Sequence, residues 1–144
     1  MLNIAPAELL PHRGNMLLVK GFEHADTENK RSSVLAQLGE DCLFYDKAHG
    51  GIPTELGIEI MAQGVGLLSC YLNHLQGKPG VKSAVLLSVK HYETYCELLP
   101  INTLLRTTNE ITLDEPPVGV YNCELYTAAD NTLLARAEIT AYKP

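Results

Sequence analysis

Hydrophobic and polar positions change rhythm twice along the chain, dividing it into three stretches. In the first, Arg31 to Leu38 alternates as a strand with one buried face does. The apolar run from Met16 to Val19 supplies its partner strand, and Asp26-Thr27-Glu28-Asn29 is the polar cluster that turns the chain between them. Upstream, Pro6-Ala7-Glu8-Leu9-Leu10 predicts a short opening turn of helix closed by Pro11. Residues 39–53 read as loop, with Phe44-Tyr45 a short edge segment and His49-Gly50-Gly51 a flexible approach to the next element.

Alternation then gives way to a run that is apolar nearly all round, starting at Pro53 or Thr54 and stopping at Gly77, ahead of Pro79. Pro at the first turn and Gly just past the end punctuate a helix. About 23 residues at ~1.5 Å each make a rod of about 35 Å. With so little polar surface it should be buried. Gly57, Gly64 and Gly66 each cost about 1 kcal/mol against Ala in a helix interior, so something must approach them closely, most simply a sheet wrapped around the rod.

Period two returns after the helix. Ser83 to Leu98 is a long strand closed by Pro100, and Thr103 to Leu113 a second, ended by Asp114-Glu115-Pro116-Pro117. Val118 to Thr127 follows, then the turn Ala129-Asp130-Asn131, then Thr132 to Tyr142 with Leu133, Ala135, Ala137, Ile139 and Ala141 on one face. Hairpin, buried helix and four-strand antiparallel meander make one α+β domain over residues 1–144, its antiparallel sheet curled around a single central helix.

Composition narrows the function. A chain of 144 residues buries one proper core, and a net charge of -6 excludes whole-surface attraction to nucleic acid or an anionic membrane. Glu59, Gln63, Asn73 and the glycines argue against a membrane span, and Met1 to Pro6 lacks the basic start and apolar core of a secretory leader. Cys42, Cys70, Cys96 and Cys123 show no CxxC and no ligand spacing. Reduced, packed thiols in a cytoplasmic protein are expected, with Cys70 in the helix and Cys96 and Cys123 in strands. No His/Cys/Asp cluster has the spacing of a zinc site.

One carboxylate, Glu59, sits inside the apolar helix, sharing a face with Glu55, Leu56, Ala62, Gln63 and Gly66. A buried carboxylate without a partner responds with a raised pKa, and a carboxyl kept protonated near neutral pH suits a general acid. The plainer alternatives are a cap, a pair with a buried base, or a side chain reaching solvent at the helix edge.

Two motifs carry a resemblance. Leu10-Pro11-His12-Arg13-Gly14-Asn15-Met16-Leu17-Leu18 resembles the opening of bacterial 3-hydroxyacyl-[acyl-carrier-protein] dehydratases, and Gly57-Ile58-Glu59-Ile60-Met61-Ala62-Gln63 is similar to their helix motif. The short loop before the helix and Leu87-Ser88-Val89-Lys90-His91-Tyr92-Glu93 after it look most like the aryl polyene branch. The element order is similar to that of the hot-dog fold. The resemblance implies syn removal of water from a 3-hydroxyacyl thioester on acyl carrier protein, with Glu59 as the acid and no cofactor beyond the carrier's phosphopantetheine. It implies a site at a dimer interface with acid and base from different subunits, hence a homodimer, with a higher oligomer or a paralogue heterodimer as variants. Backbone N–H groups at the helix start would hold the thioester oxygen, Gly57 would let substrate approach, and Gln63 would orient the carboxyl or bind water.

The base departs from the family pattern. The family's Gly-His-Phe-Pro ahead of the helix is replaced by Lys47-Ala48-His49-Gly50-Gly51-Ile52-Pro53, so His12 of the first motif is the favoured base and His49 the second candidate. His24, His74 and His91 read as turn, helix-end and strand histidines. Arg13 reads as pairing with a surface acid rather than with a phosphate. Met16, Leu56, Ile60, Leu87 and Val89 are candidates to line an acyl tunnel, with plain core as the alternative, and Lys82, Lys90 and Arg106 to meet an acidic carrier protein. Two other readings stay open: a hot-dog thioesterase using Glu59 to activate water, and a non-catalytic acyl-binding or dimerisation subunit.

Overall fold

A computed structural model describes residues 4–78 and 85–142. A short helix α1 (Pro6–Leu9) and a 3₁₀ turn (Gly14–Met16) lead into the hairpin β1 (Val19–Asp26) and β2 (Arg31–Gln37). Then come β3 (Ile52–Pro53), the long helix α2 (Leu56–Leu75), β4 (Val85–Thr94) and β5 (Leu98–Leu99). β6 (Leu104–Glu115), β7 (Val118–Thr127) and β8 (Leu133–Tyr142) complete the order. The six long strands form one antiparallel sheet in the order β1-β2-β6-β7-β8-β4, and β3 pairs with β5 beside it.

That order corrects the expected four-strand meander. Only β6, β7 and β8 run as a meander. β4, the first long strand after the helix, pairs with the last strand β8 at one edge, while β6 joins the opening hairpin through β2. The expected strand from Ser83 to Leu98 is two: β4 stops at Thr94, the chain bends over residues 95–97, and Leu98-Leu99 pairs with Ile52-Pro53 instead. Ser83, Lys82 and Pro79 lie outside the described residues. Phe44 falls in a turn and Tyr45 in no strand; the only bridge there joins Asp46 to Gly51. In β8 a register irregularity after Leu125 buries Leu134 in place of Leu133, after which Ala135, Ala137, Ile139 and Ala141 face the core as expected.

The helix begins three residues after Pro53, because Pro53 is drawn into β3, and it ends in backbone bonds that glycine permits. Gly77 has φ +69°, its N–H donates to His74 O, and the Lys78 N–H reaches back to Asn73 O, the doubled closure typical of a helix ending in glycine. Ile60, Met61, Leu67 and Leu68 are fully buried, each worth about 1.5–3 kcal/mol of burial. The helix is not buried all round, since Ile58, Glu59, Ala62 and Gly66 stay partly exposed along one side. Its glycines mark close neighbours. A Cβ on Gly64 would stand 2.6 Å from Asn109 Nδ2 and 2.9 Å from Thr107 Cγ2 on β6, and one on Gly66 would meet Leu10 at 3.1 Å.

Among the described residues no helix is long and apolar enough to cross a membrane, and no disulfide joins the cysteines. Cys70 and Cys123 are buried, with burial pushing the Cys123 thiol up to about 12, and Cys96 lies in the bend after β4 rather than in a strand.

Candidate active site

The partly exposed side of α2 is crossed by the segment joining α1 to β1, and one side chain fastens the two. Gln63, only 1% exposed, projects from α2 one turn after Glu59. Its Oε1 accepts the Leu18 N–H at 2.8 Å, while its Nε2 donates to Met16 O at 2.6 Å and to Glu59 Oε1 at 3.0 Å. The amide cannot be turned over. The opposite orientation would set N–H against N–H at Leu18 and carbonyl against carbonyl at Met16. The segment is also tied to itself, for Arg13 Nη1 donates to Leu10 O at 2.6 Å and to His12 O at 2.7 Å. A tight turn follows at Gly14, where φ is +58°.

This arrangement carries His12 to Glu59. The His12 Nε2 lies 3.4 Å from Glu59 Oε1, with side-chain exposures of 31% and 38%. His12 Nδ1 is buried without a hydrogen-bond partner, so Nε2 is the ring nitrogen presented to the open side. Glu59 Oε1 therefore faces both Gln63 and His12, and Oε2 has no partner among the described residues. The imidazole and the carboxylate of this contact belong to one chain. The premise of a partnerless buried carboxylate is not met either. Glu59 has two polar neighbours and an open side.

Other candidates fall elsewhere. At Gly57 the near neighbour is protein rather than a route for substrate: a Cβ there would stand 2.8 Å from the Tyr92 hydroxyl. Tyr92 on β4 donates to Thr54 O, and burial, helped by the charges at Cys96 and Glu55, pushes its hydroxyl up to about 12. The Gly57 N–H donates to Thr54 O at 2.9 Å and the Ile58 N–H to Glu55 O at 3.2 Å, so neither is left over for a thioester oxygen. Gln63 also does not offer itself to substrate, since each polar atom is already bonded and the side chain is buried. Met16 remains partly exposed on the His12 segment.

His49, 71% exposed, gives Nδ1 to Asp46 at 2.8 Å in the turn before Gly51, and that bond with the backbone N–H groups of His49 and Ala48 holds the Asp46 carboxyl below its usual range. The structure does not bring it to Glu59. His24 lies in β1 rather than a turn, and it, His74 and His91 are exposed. Arg13 is held by backbone carbonyls, not by a surface acid. Arg106 is spent on Glu23, at 2.6 and 2.9 Å, and on Asn131 at 2.6 Å, which leaves it poorly placed to meet a carrier protein. Leu56 and Ile60 are core, Leu87 is 54% exposed on β4, and Val89 is partly buried, so these do not form one enclosed tunnel in the single chain. Among the described residues no three His, Cys, Asp or Glu side chains could hold a metal ion.

Sequence reasoning located His12, Glu59 and Gln63 but not what joins them. The Glu-x-x-x-Gln spacing hinted at the carboxyl–amide contact; the backbone groups of Met16 and Leu18 that lock the amide carry no side-chain signal at all. Tyr92 was missed as the reason for Gly57.

Comparison with known proteins gives the family and the fold. A family model described as ApeP-like, ApeP dehydratase, matches residues 4–144. No curated protein sequence matches the chain. The fold is similar to that of the dehydratase heterocomplex ApeI:P from Xenorhabdus doucetiae, with TM-score 0.89 and 18% identity over 99% of this chain and 93% of that one. It is also similar to AziG of S. sahachiroi, with TM-score 0.67 and 16% identity over 94% and 97% of the two chains. A hypothetical thioesterase from Streptococcus pneumoniae, solved with coenzyme A, matches with TM-score 0.64 and 13% identity over 85% and 84%. At these identities the likeness establishes the architecture, a hot-dog fold.

Proposed function

The chain belongs to the ApeP-like dehydratase family, and on that premise we propose that it removes water from 3-hydroxyacyl thioesters on acyl carrier protein to give trans-2-enoyl thioesters for a polyene-type lipid. The observation that carries this reading is the His12–Glu59 pair, 3.4 Å apart on the accessible side of α2. The His12 Nε2 lone pair takes the C2 proton, and the electron pair of the broken C2–H bond forms the C2–C3 double bond. The C3–O bond breaks, and Glu59 protonates the departing hydroxyl, so one water leaves. Negative charge growing on the thioester oxygen faces the positive end of the α2 dipole, near which Glu59 sits in the first turn. Met16, exposed beside the pair on the same segment, gives the acyl chain an apolar contact.

The working unit is a dimer. β4 has no neighbour on its outer side among the described strands, and Leu86 and Leu87 on it are exposed, so a second hot-dog subunit, a copy or a paralogue, covers that edge. The similar ApeI:P assembly is a heterocomplex. Lys90, exposed on β4, is the remaining basic residue placed to meet an acidic carrier, and docking on so acidic a chain is weak and salt-sensitive. The reaction sits in the cytoplasm, where the carrier is.

Incubation of the purified protein with a 3-hydroxyacyl carrier protein tests this. Mass loss of one water from the acyl chain supports it; release of free acid establishes a thioesterase instead. No change alone, with dehydration once a paralogue is added, establishes a supporting subunit.

A further inference from the structure

We propose that Tyr92 is a positioning residue for the acid Glu59, aimed at the start of α2 by a bulge in β4. This rests on the dehydratase reading and deepens it. Lys90 pairs with Glu138 and Glu93 with Arg136, so His91 and Tyr92 together face the single residue Ala137 of β8. The extra residue is His91, whose φ of +55° lies in the left-handed region, costly for a residue carrying a Cβ. Its effect is a change of face. Val89 packs on the core and Lys90 is exposed, so strict alternation would turn residue 91 inward and residue 92 outward. The bulge reverses this: His91 is exposed and Tyr92 packs on the core.

The N-terminus of α2 has no capping side chain, for Glu55 at that position makes no such bond. Thr54 O instead accepts both the Gly57 N–H, at 2.9 Å, and the Tyr92 hydroxyl. No other side-chain hydrogen bond reaches residues 53–58 among the described residues. Gly57 leaves the hydroxyl its room, since a Cβ there would stand 2.8 Å from it. Glu59 lies in the first turn of the helix that these bonds fix. Its carboxyl meets His12 at 3.4 Å, and His12 comes from a separate segment, so a slip at the helix start moves acid against base. A misplacement of about 1 Å between such groups costs about 100-fold in rate.

The test uses the full chain with a 3-hydroxyacyl carrier protein as substrate, below the melting temperature of every variant. Tyr92→Phe keeps the ring and removes only the hydroxyl. It should lower kcat about 10-fold with KM little changed, and the Gly57 and Ile58 amides should exchange hydrogen faster than in wild type. The kcat loss should nearly vanish in a Glu59→Gln background, because Tyr92 acts through that carboxyl. A role in stability alone would weigh equally on both backgrounds. His91→Gly, which accepts the left-handed backbone, should retain kcat, whereas His91→Val should lose it as Tyr92→Phe does. Wild-type kcat or unchanged amide exchange in Tyr92→Phe overturns this proposal alone, as do equal losses in both backgrounds, a loss confined to KM, or equal kcat in the two His91 variants. No turnover by wild-type protein, alone or with a paralogue, overturns the dehydratase reading and the role of Tyr92 with it.

Discussion

His12 Nε2 lies 3.4 Å from Glu59 Oε1 although 46 intervening residues and the whole opening hairpin separate them in sequence. Each side chain keeps about a third of its surface open, so both are accessible without the chain unfolding.

Removing either group should stop dehydration without unfolding the protein. Glu59→Gln and His12→Ala are each expected to lower kcat by about 10²–10⁴-fold, with melting temperatures close to wild type. Turnover at the wild-type rate in either variant would remove that residue from the reaction. His49→Ala should leave the rate unchanged, because its imidazole is engaged with Asp46 in an exposed turn.

Gly64→Ala isolates the helix–sheet contact. Helix propensity alone would favour alanine by about 1 kcal/mol, but the added carbon would stand 2.6 Å from Asn109 Nδ2. Overpacking of about 1–3 kcal/mol should win, and denaturant unfolding should show net destabilisation. A stabilised variant would mean that β6 yields at no cost.

Tyr92 predicts an alkaline limit. Its hydroxyl is raised from 10.0 to about 12 mainly by burial, so the folded state holds that proton more tightly than the unfolded chain. The resulting stability is complete below pH 10 and is lost as pH climbs toward 12. Tyr92→Phe should lower stability at neutral pH by about 1 kcal/mol, having lost the bond to Thr54 O, and its stability should decline less between pH 10 and 12 than that of wild type.

Arg106 and Lys90 should separate structure from docking. Arg106 lies in a bidentate pair that lowers the Glu23 carboxyl, so its contribution is present above the ordinary glutamate value of 4.5 and fades as pH falls through the lowered one. Arg106→Met is expected to cost at most about 1 kcal/mol of stability and to leave KM for the carrier substrate unchanged. Lys90→Glu should raise that KM, most at low salt.

The helix, its buried face and most strand bounds were legible because side-chain periodicity records which face meets the core. The glycines of α2 correctly announced close contact. What met them was not legible, since Tyr92 and Leu10 reach Gly57 and Gly66 from elements distant in sequence. The position of β4 was hidden for a similar reason: strand order depends on which edges match in three dimensions, and an alternating stretch reads the same beside β6 or beside β8. In the site, residue types pointed to His12 and Glu59, whereas their meeting in one chain depends on main-chain groups that every residue possesses.

The strand order also bears on how the molecule is made. β4 emerges from the ribosome directly after the helix, yet among the described strands its only neighbour in the sheet is β8, which is made after β5, β6 and β7. Until then the nascent chain displays a ten-residue strand, Leu86 and Leu87 included, with nothing to pair against. The sheet can close only once β8 has been made, and until then an unpaired β4 is open to pairing with another chain.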